Sequence, residues 1–236
     1  EKAEFAARTI RPKIAKVLDH SLEPVAEAWP SVAVSDTLAA SLRATVAEGG
    51  GLTALPLARM SDDDIAAAVA ACEIDHAVRA LPMPGGRAAG LAQLARFVEH
   101  ALPGYDTHRN EASDAMGTSR LSPYLHFGHV SGAEVVRAAR TSGADSASVD
   151  AFVQQVTTWR ELSYNWCIRT PRFDQLDSLP AWVQRTMQEH VNDPRPVLYD
   201  LDTLEEARTG DALWNAAQTE LVNEGIIHNY PRMLWG

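Results

Sequence analysis

Three stretches of this chain bring together side chains suited to chemistry. The first is TSRLSPYLHFG, residues 118 to 128, where Thr118, Ser119 and Ser122 supply hydroxyls and Arg120 a forked cation. Converging hydroxyls, a guanidinium and the N–H groups of a short turn suit a phosphate or diphosphate. Ser and Thr ahead of a helix also serve as plain caps, so the run by itself leaves both readings open. In the second stretch, Gln155, Trp159, Leu162 and Trp166 are spaced four, three and four residues apart, which predicts one helical stripe with Arg160 about 100° round from Trp159. Such a stripe either lines a cleft or fills a core with indoles. The third stretch spans residues 209 to 236: Thr209 and Asp211 start a helix, Leu213, Trp214, Ala217, Leu221 and Val222 mark its expected buried face, and Gly225 ends it. His228, Asn229, Tyr230, Arg232, Met233 and Trp235 then follow in a density that mere connection does not need.

Other chemistry is weakly represented. His126 and His129 are three residues apart with no third or fourth ligand beside them, so no metal site is expected. No Gly-rich phosphate loop, Ser–His–Asp order or Cys–His pair stands out. Cys72 and Cys167 lie far apart among ordinary neighbours and read as core thiols.

Positioning these groups is a task for helices. Apolar spacing near 3.6 recurs while strand-like alternation is almost absent, which predicts an all-α protein. Helices are expected around residues 61 to 72, 87 to 102, 131 to 141, 147 to 168, 179 to 190 and 211 to 224, with irregular segments at GGGLTALPLARM, at 104 to 127 and at 192 to 196. In the second of these helices Leu91, Leu94, Phe97, Val98, Ala101 and Leu102 share one side. Ser61 with Asp62, Asp63 and Asp64 reads as a cap with acids at the positive end of a helix dipole.

The 236 residues carry 21 basic and 31 acidic side chains, a formal charge of −10, which argues against a surface coated for nucleic acid but not against a local cationic groove. The opening run FAARTIRPKIAK, with Arg8, Arg11, Lys13 and Lys16 and no acid, is a basic helix or linker. No stretch approaches the ~18 to 20 apolar residues of a membrane span, and the expected location is cytoplasmic, or nucleoid-associated in a bacterium.

Taken together, AARTIRPKI (6 to 14), GYDTHRN (104 to 110), TSRLSPYLHFG, WRELSYNWC (159 to 167) and LWNAAQTELVNEG (213 to 225) followed by HNYPRM resemble the helical, flavin-binding C-terminal domain of the photolyase and cryptochrome family, with greatest similarity to the class II cyclobutane pyrimidine dimer photolyases. The resemblance implies FAD folded back on itself in a helical bowl and light-driven repair of pyrimidine dimers in DNA. The alternative it allows is a cryptochrome-like blue-light receptor or a repair-dead flavoprotein. Tyr105, Thr118, Ser119, Arg120, Leu121, Ser122, Phe152, Arg160 and Asn215 are the residues it implies for FAD. Gln155, Trp159, Asn229, Tyr230, Arg232 and Met233 fall to the DNA lesion, and Trp235 and Trp214 to the tryptophan relay. Arg109, Arg137, Arg160 and Arg232 are the implied phosphate contacts. A monomer acting on dimer-containing DNA, with no membrane, completes the expectation.

Against that pattern Gln155 stands where a glutamate is expected, and an amide bonds a developing charge without sharing a proton as a carboxyl does. The domain boundaries expected are 1–20, a basic linker or first helix following a missing N-terminal α/β domain, and 21–236, the helical FAD-binding domain truncated at its C-terminal end.

Overall fold

Local capping places the helix starts. Ser131 accepts from the Glu134 N–H at 3.1 Å while the Glu134 carboxylate accepts from the Ser131 N–H at 2.9 Å, and Ser61 and Asp64 make the same reciprocal pair. Asp145, Asp200 and Asp211 cap three further helices through their carboxylates. Gly225 closes the last long helix with φ at 65°, a left-handed conformation that suits a residue without Cβ.

The computed structural model describes residues 4, 6–24, 34–47, 59–78, 80–114 and 116–235. All regular structure among them is helical: α1 (Ala7–Ser21), α2 (Asp36–Ala47), α3 (Asp62–Ala70), α4 (Arg87–Arg96), α5 (Tyr105–His108), α6 (Ser122–His126), α7 (Gly132–Arg140), α8 (Ser146–Gln154), α9 (Arg160–Arg169), α10 (Ala181–His190), α11 (Leu201–Glu205), α12 (Ala212–Glu224) and α13 (Asn229–Trp235). Wide π-helical turns, Phe97–Ala101 and Gln155–Trp159, extend α4 and join α8 to α9. The segment expected to be irregular from 104 to 127 therefore contains two short helices, and the Gly-run segment lies largely outside the described residues, over 48–58. The opening basic run is α1, with Arg8, Arg11, Lys13 and Lys16 exposed.

The chain divides into two units, one of residues 24–79, which holds α2 and α3, and one of residues 1–23 and 80–236. In the larger unit the core gathers around α4, α7 and α8. Phe97, Leu102, Leu121, Val135 and Val136 are almost wholly buried. Phe97, Tyr105 and Phe152 meet as a ring trio, with centroids 5.7, 4.5 and 5.3 Å apart. Burying a side chain of that size contributes about 1.5–3 kcal/mol. Helix α1 is fastened by the Arg137 guanidinium donating to the Leu22 carbonyl at 2.8 Å and by Arg140 pairing with Asp19 at 2.8 Å.

Three expectations change. Leu91 is exposed although its companions farther along are wholly or partly buried, because the inward face at the start of α4 runs through Ala89 and Gly90 instead. On α12 Ala217 alone is buried, and Leu213 and Val222 are 59% and 51% exposed. That helix packs chiefly against α11, with the Trp214 indole N–H donating to the Leu204 carbonyl at 3.2 Å. Both Cys72 and Cys167 are exposed, so neither is a core thiol.

Arg87 pairs with Glu134 at 2.6 Å and, together with the capping bonds from Ser131, pulls that carboxyl down to about 2. Folding lowers this pKa, so its stabilising effect is full above the ordinary carboxylate value and is lost as pH falls through that range toward 2. Glu134→Gln is expected to destabilise the protein by about 1 kcal/mol at neutral pH, and thermal melts should show the gap from wild type closing between about pH 5 and 2.

Candidate active-site cleft

A cleft of about 950 Å³ opens in the larger unit, at the upper end of the ~300–1,000 Å³ usual for small-molecule sites. Its walls come from distant parts of the chain: the loop after α5 with the 118–126 run, the face of α8 and α9, and the end of α12 with the start of α13.

The hydroxyl-rich run is held from behind. Leu121 is fully buried in the core, the Gln93 amide donates to the Ser119 carbonyl at 2.8 Å, and the Tyr124 hydroxyl donates to the Pro84 carbonyl at 2.9 Å. These ties leave Thr118, Ser119, Arg120 and Ser122 on the cleft wall while the Leu121 side chain packs away from it. Arg120 has φ at 52°, a left-handed conformation that costs an ordinary residue about 1–2 kcal/mol and that surrounding structure must impose.

The second wall departs from the expected stripe. The Arg160 N–H reaches the Gln155 carbonyl, five residues back, so the helix gains one residue in that turn. Everything beyond it is rotated by about 100° relative to an uninterrupted α-helix. Phe152, Gln155 and Val156 face the cleft as periodicity expects, but past the wide turn Arg160, Ser163, Tyr164 and Cys167 line it in place of Trp159 and Trp166. Trp159 is 47% exposed and lies off the cleft. Arg160 is steadied by Glu161 at 3.1 Å, by the Tyr164 hydroxyl at 3.3 Å and by lying 4.7 Å over the Tyr164 ring.

At the third wall, Asn229 and Arg232 line the cleft and hydrogen-bond each other. Tyr230 and Met233 lie outside it and are exposed. The side chain of Trp235 lies outside the described residues. Asn215 does not line the cleft; it accepts from the Thr209 hydroxyl at 2.8 Å and donates to the Thr209 carbonyl at 2.8 Å, tying the turn before α12. Trp214 is likewise absent from the lining, and Arg137 is committed to Leu22.

Electrostatically the site differs from the chain as a whole. Arg109, Arg120, Arg160 and Arg232 line it against Asp114 and Glu220. Burial pushes the Tyr105 phenol up, with nearby Arg109 opposing the shift, so at neutral pH it is a hydroxyl donor. Converging hydroxyls and guanidinium groups suit phosphate oxygens, and Phe152, Tyr105, Val156 and Ile227 supply apolar surface for a ring system. Ser163, Tyr164, Cys167 and His228 are lining residues that the sequence patterns leave unassigned; the four-residue step from Arg160 to Tyr164 was the available signal.

No family model matches the chain. It is similar along almost its whole length to proteins named deoxyribodipyrimidine photo-lyase: that of Oryza sativa subsp. japonica is 34% identical over 99% of this chain and 44% of its own length. Those of Potorous tridactylus and Arabidopsis thaliana are 33% and 32% identical over 100% and 99% of this chain and 40% and 45% of their own. A solved bacterial class III photolyase from Agrobacterium tumefaciens, at 17% identity and a TM-score of 0.48, covers 98% of this chain and 56% of its own, a likeness too distant to place any side chain. An all-helical unit with an arginine-lined cleft and this similarity defines the assignment: the chain belongs to the photolyase family. It spans less than half the length of these curated relatives.

Gly117 sits where a Cβ would lie 2.6 Å from the His108 carbonyl oxygen. Gly117→Ala should force the 108–117 loop apart at a cost of about 1–3 kcal/mol, lowering the melting temperature and weakening any ligand held between Arg109 and Thr118.

Proposed function

We propose that this chain forms the flavin-binding part of a deoxyribodipyrimidine photo-lyase, which repairs cyclobutane pyrimidine dimers in DNA under light. The observation that carries the reading is the convergence in one cleft of the 118–122 hydroxyl run, Arg160 and Gln155, from segments more than thirty residues apart.

The donor set fits FAD. Thr118, Ser119, Arg120 and Ser122 would hold its diphosphate and ribityl oxygens, with Tyr105, Phe152 and Arg160 beside its rings. The chemistry such a flavin supplies when bound is light-driven electron donation to the lesion. The chain's own contribution is to bind, orient and dry the site. Gln155 would present its amide to the lesion, donating and accepting without a proton to share. Trp159, Tyr230 and Met233, exposed outside the cleft, suit stacking and packing against a displaced base pair. Asn229 and Arg232 would reach the same DNA or the flavin from the rim. Trp214 and Trp235 are proposed as oxidisable indoles on α12 and α13, and Asn215 as a residue that shapes the bowl through its hold on Thr209.

The names of the relatives favour repair over a photoreceptor role. The intact protein is expected to bind dimer-containing DNA more tightly than undamaged DNA, with affinity falling as salt rises, and to split the dimers under blue light. A flavin-loaded protein that leaves dimers intact would overturn repair. Gln155→Glu should raise the repair rate by roughly tenfold or more with flavin content unchanged; an unchanged rate places the proton-sharing position elsewhere.

A further inference from the structure

Tyr105 and Arg109 reach the cleft from α5 and the residue after it, and α5 is a single helical turn, too short to offset the cost of its own nucleation in water. What holds it is the first turn of α8. Ser148, wholly buried, donates its hydroxyl to the Asp106 carboxylate at 2.9 Å and accepts from the Asp106 N–H at 3.4 Å, across 42 residues of chain. The Ser148 N–H in turn donates to Asp145 at 2.8 Å, and that carboxyl is held below its ordinary range by Ser148 first and, more weakly, by the Gly104 backbone. One turn further along the same face of α8, Phe152 meets the Tyr105 ring edge-on at 5.3 Å. Both neighbours of Tyr105, and its ring, are thus held by one helix. Neither Ser148 nor Asp106 lines the cleft. Alanine would fill the buried Ser148 position with no partner to find, so what the hydroxyl adds is direction: it sets how α5 lies on α8 and where the Tyr105 phenol points.

We infer that Ser148 and Asp106 form a positioning latch: their hydroxyl–carboxylate pair fixes α5 on α8, so that the Tyr105 hydroxyl and the Arg109 guanidinium meet the flavin nucleotide in one set geometry. The inference rests on the flavin reading above and adds to it two residues outside the cleft, which act on the bound molecule only through Tyr105 and Arg109. Asp106 contributes an acceptor, a role an amide oxygen fills as well as a carboxylate. Ser148 contributes the hydroxyl that joins the two helices.

The test uses the intact protein with FAD as the probe and 13Cζ-labelled tyrosine, the Tyr105 signal being assigned by its loss in Tyr105→Phe. Ser148→Ala should lower FAD affinity about tenfold, the effect of roughly one misplaced hydrogen bond. It should also bring the Tyr105 titration down toward that of free tyrosine as the ring loosens from its buried seat, while the melting temperature of the flavin-free protein changes little. Asp106→Ala should act alike, and Asp106→Asn should bind FAD as wild type does. The double variant of Ser148→Ala with Asp106→Ala should lose no more affinity than Ser148→Ala alone. An unmoved Tyr105 titration in Ser148→Ala, Asp106→Asn as weak as Asp106→Ala, or losses that add in the double variant would each overturn the latch. A large fall in melting temperature with FAD affinity retained would mark the pair as structural only and overturn it too. Wild type that binds no FAD would overturn the flavin reading, and the Tyr105 titration would then decide the latch by itself.

Discussion

The architecture of the cleft depends on one extra residue. Where the Arg160 N–H reaches back to Gln155, the helix that began at Ser146 continues with its faces turned by about a quarter of a circle. Phe152 before the turn and Val156 within it pack into the core and border the cleft; beyond it, Arg160 and Tyr164 are delivered to the cleft, and Trp159 and Trp166 lie off it. A second wide turn at Phe97–Ala101 abuts the same region, since Phe97 and Phe152 lie 4.5 Å apart. One wide turn thus lies in the cleft wall and the other in the core behind it, the first in keeping with the tendency of such turns to mark functional positions.

Around that feature the polar and apolar parts of the site serve different ends. The ring trio of Phe97, Tyr105 and Phe152 stabilises the floor, and only Tyr105 and Phe152 extend from it to the cleft wall. Leu121 anchors the hydroxyl run from below, which lets its neighbours hold their oxygens outward and Arg120 hold a left-handed backbone. The four arginines of the lining give a strongly acidic chain a local preference for anions, so the global charge says little about what this site takes.

The similarity to photo-lyases and the geometry support each other at different levels. Similarity over nearly the whole chain gives the family. Geometry separates residues with direct access to a ligand from those that shape the bowl: Asn215 binds Thr209 and Arg137 binds Leu22, each a structural commitment inside the protein. Trp159, by contrast, stands at the surface and off the cleft.

Much of this was legible in the residue order because it is local. Capping boxes, Gly225 and the 3.6 spacing act within four residues, so the helices around 87, 131, 147, 181 and 212 followed from the sequence alone, as did the hydroxyl run and the pairing of Gln155 with Arg160 in one region. The tertiary structure alone decided which faces turned where. Periodicity does not announce a wide turn, since one additional residue leaves the apolar count unchanged while rotating every later side chain, and so Tyr164 and Cys167 replaced Trp159 and Trp166 at the cleft. Burial along α12 and the bond from Ser148 to Asp106 were equally hidden, because packing depends on which distant segments arrive as neighbours, and no local pattern encodes that.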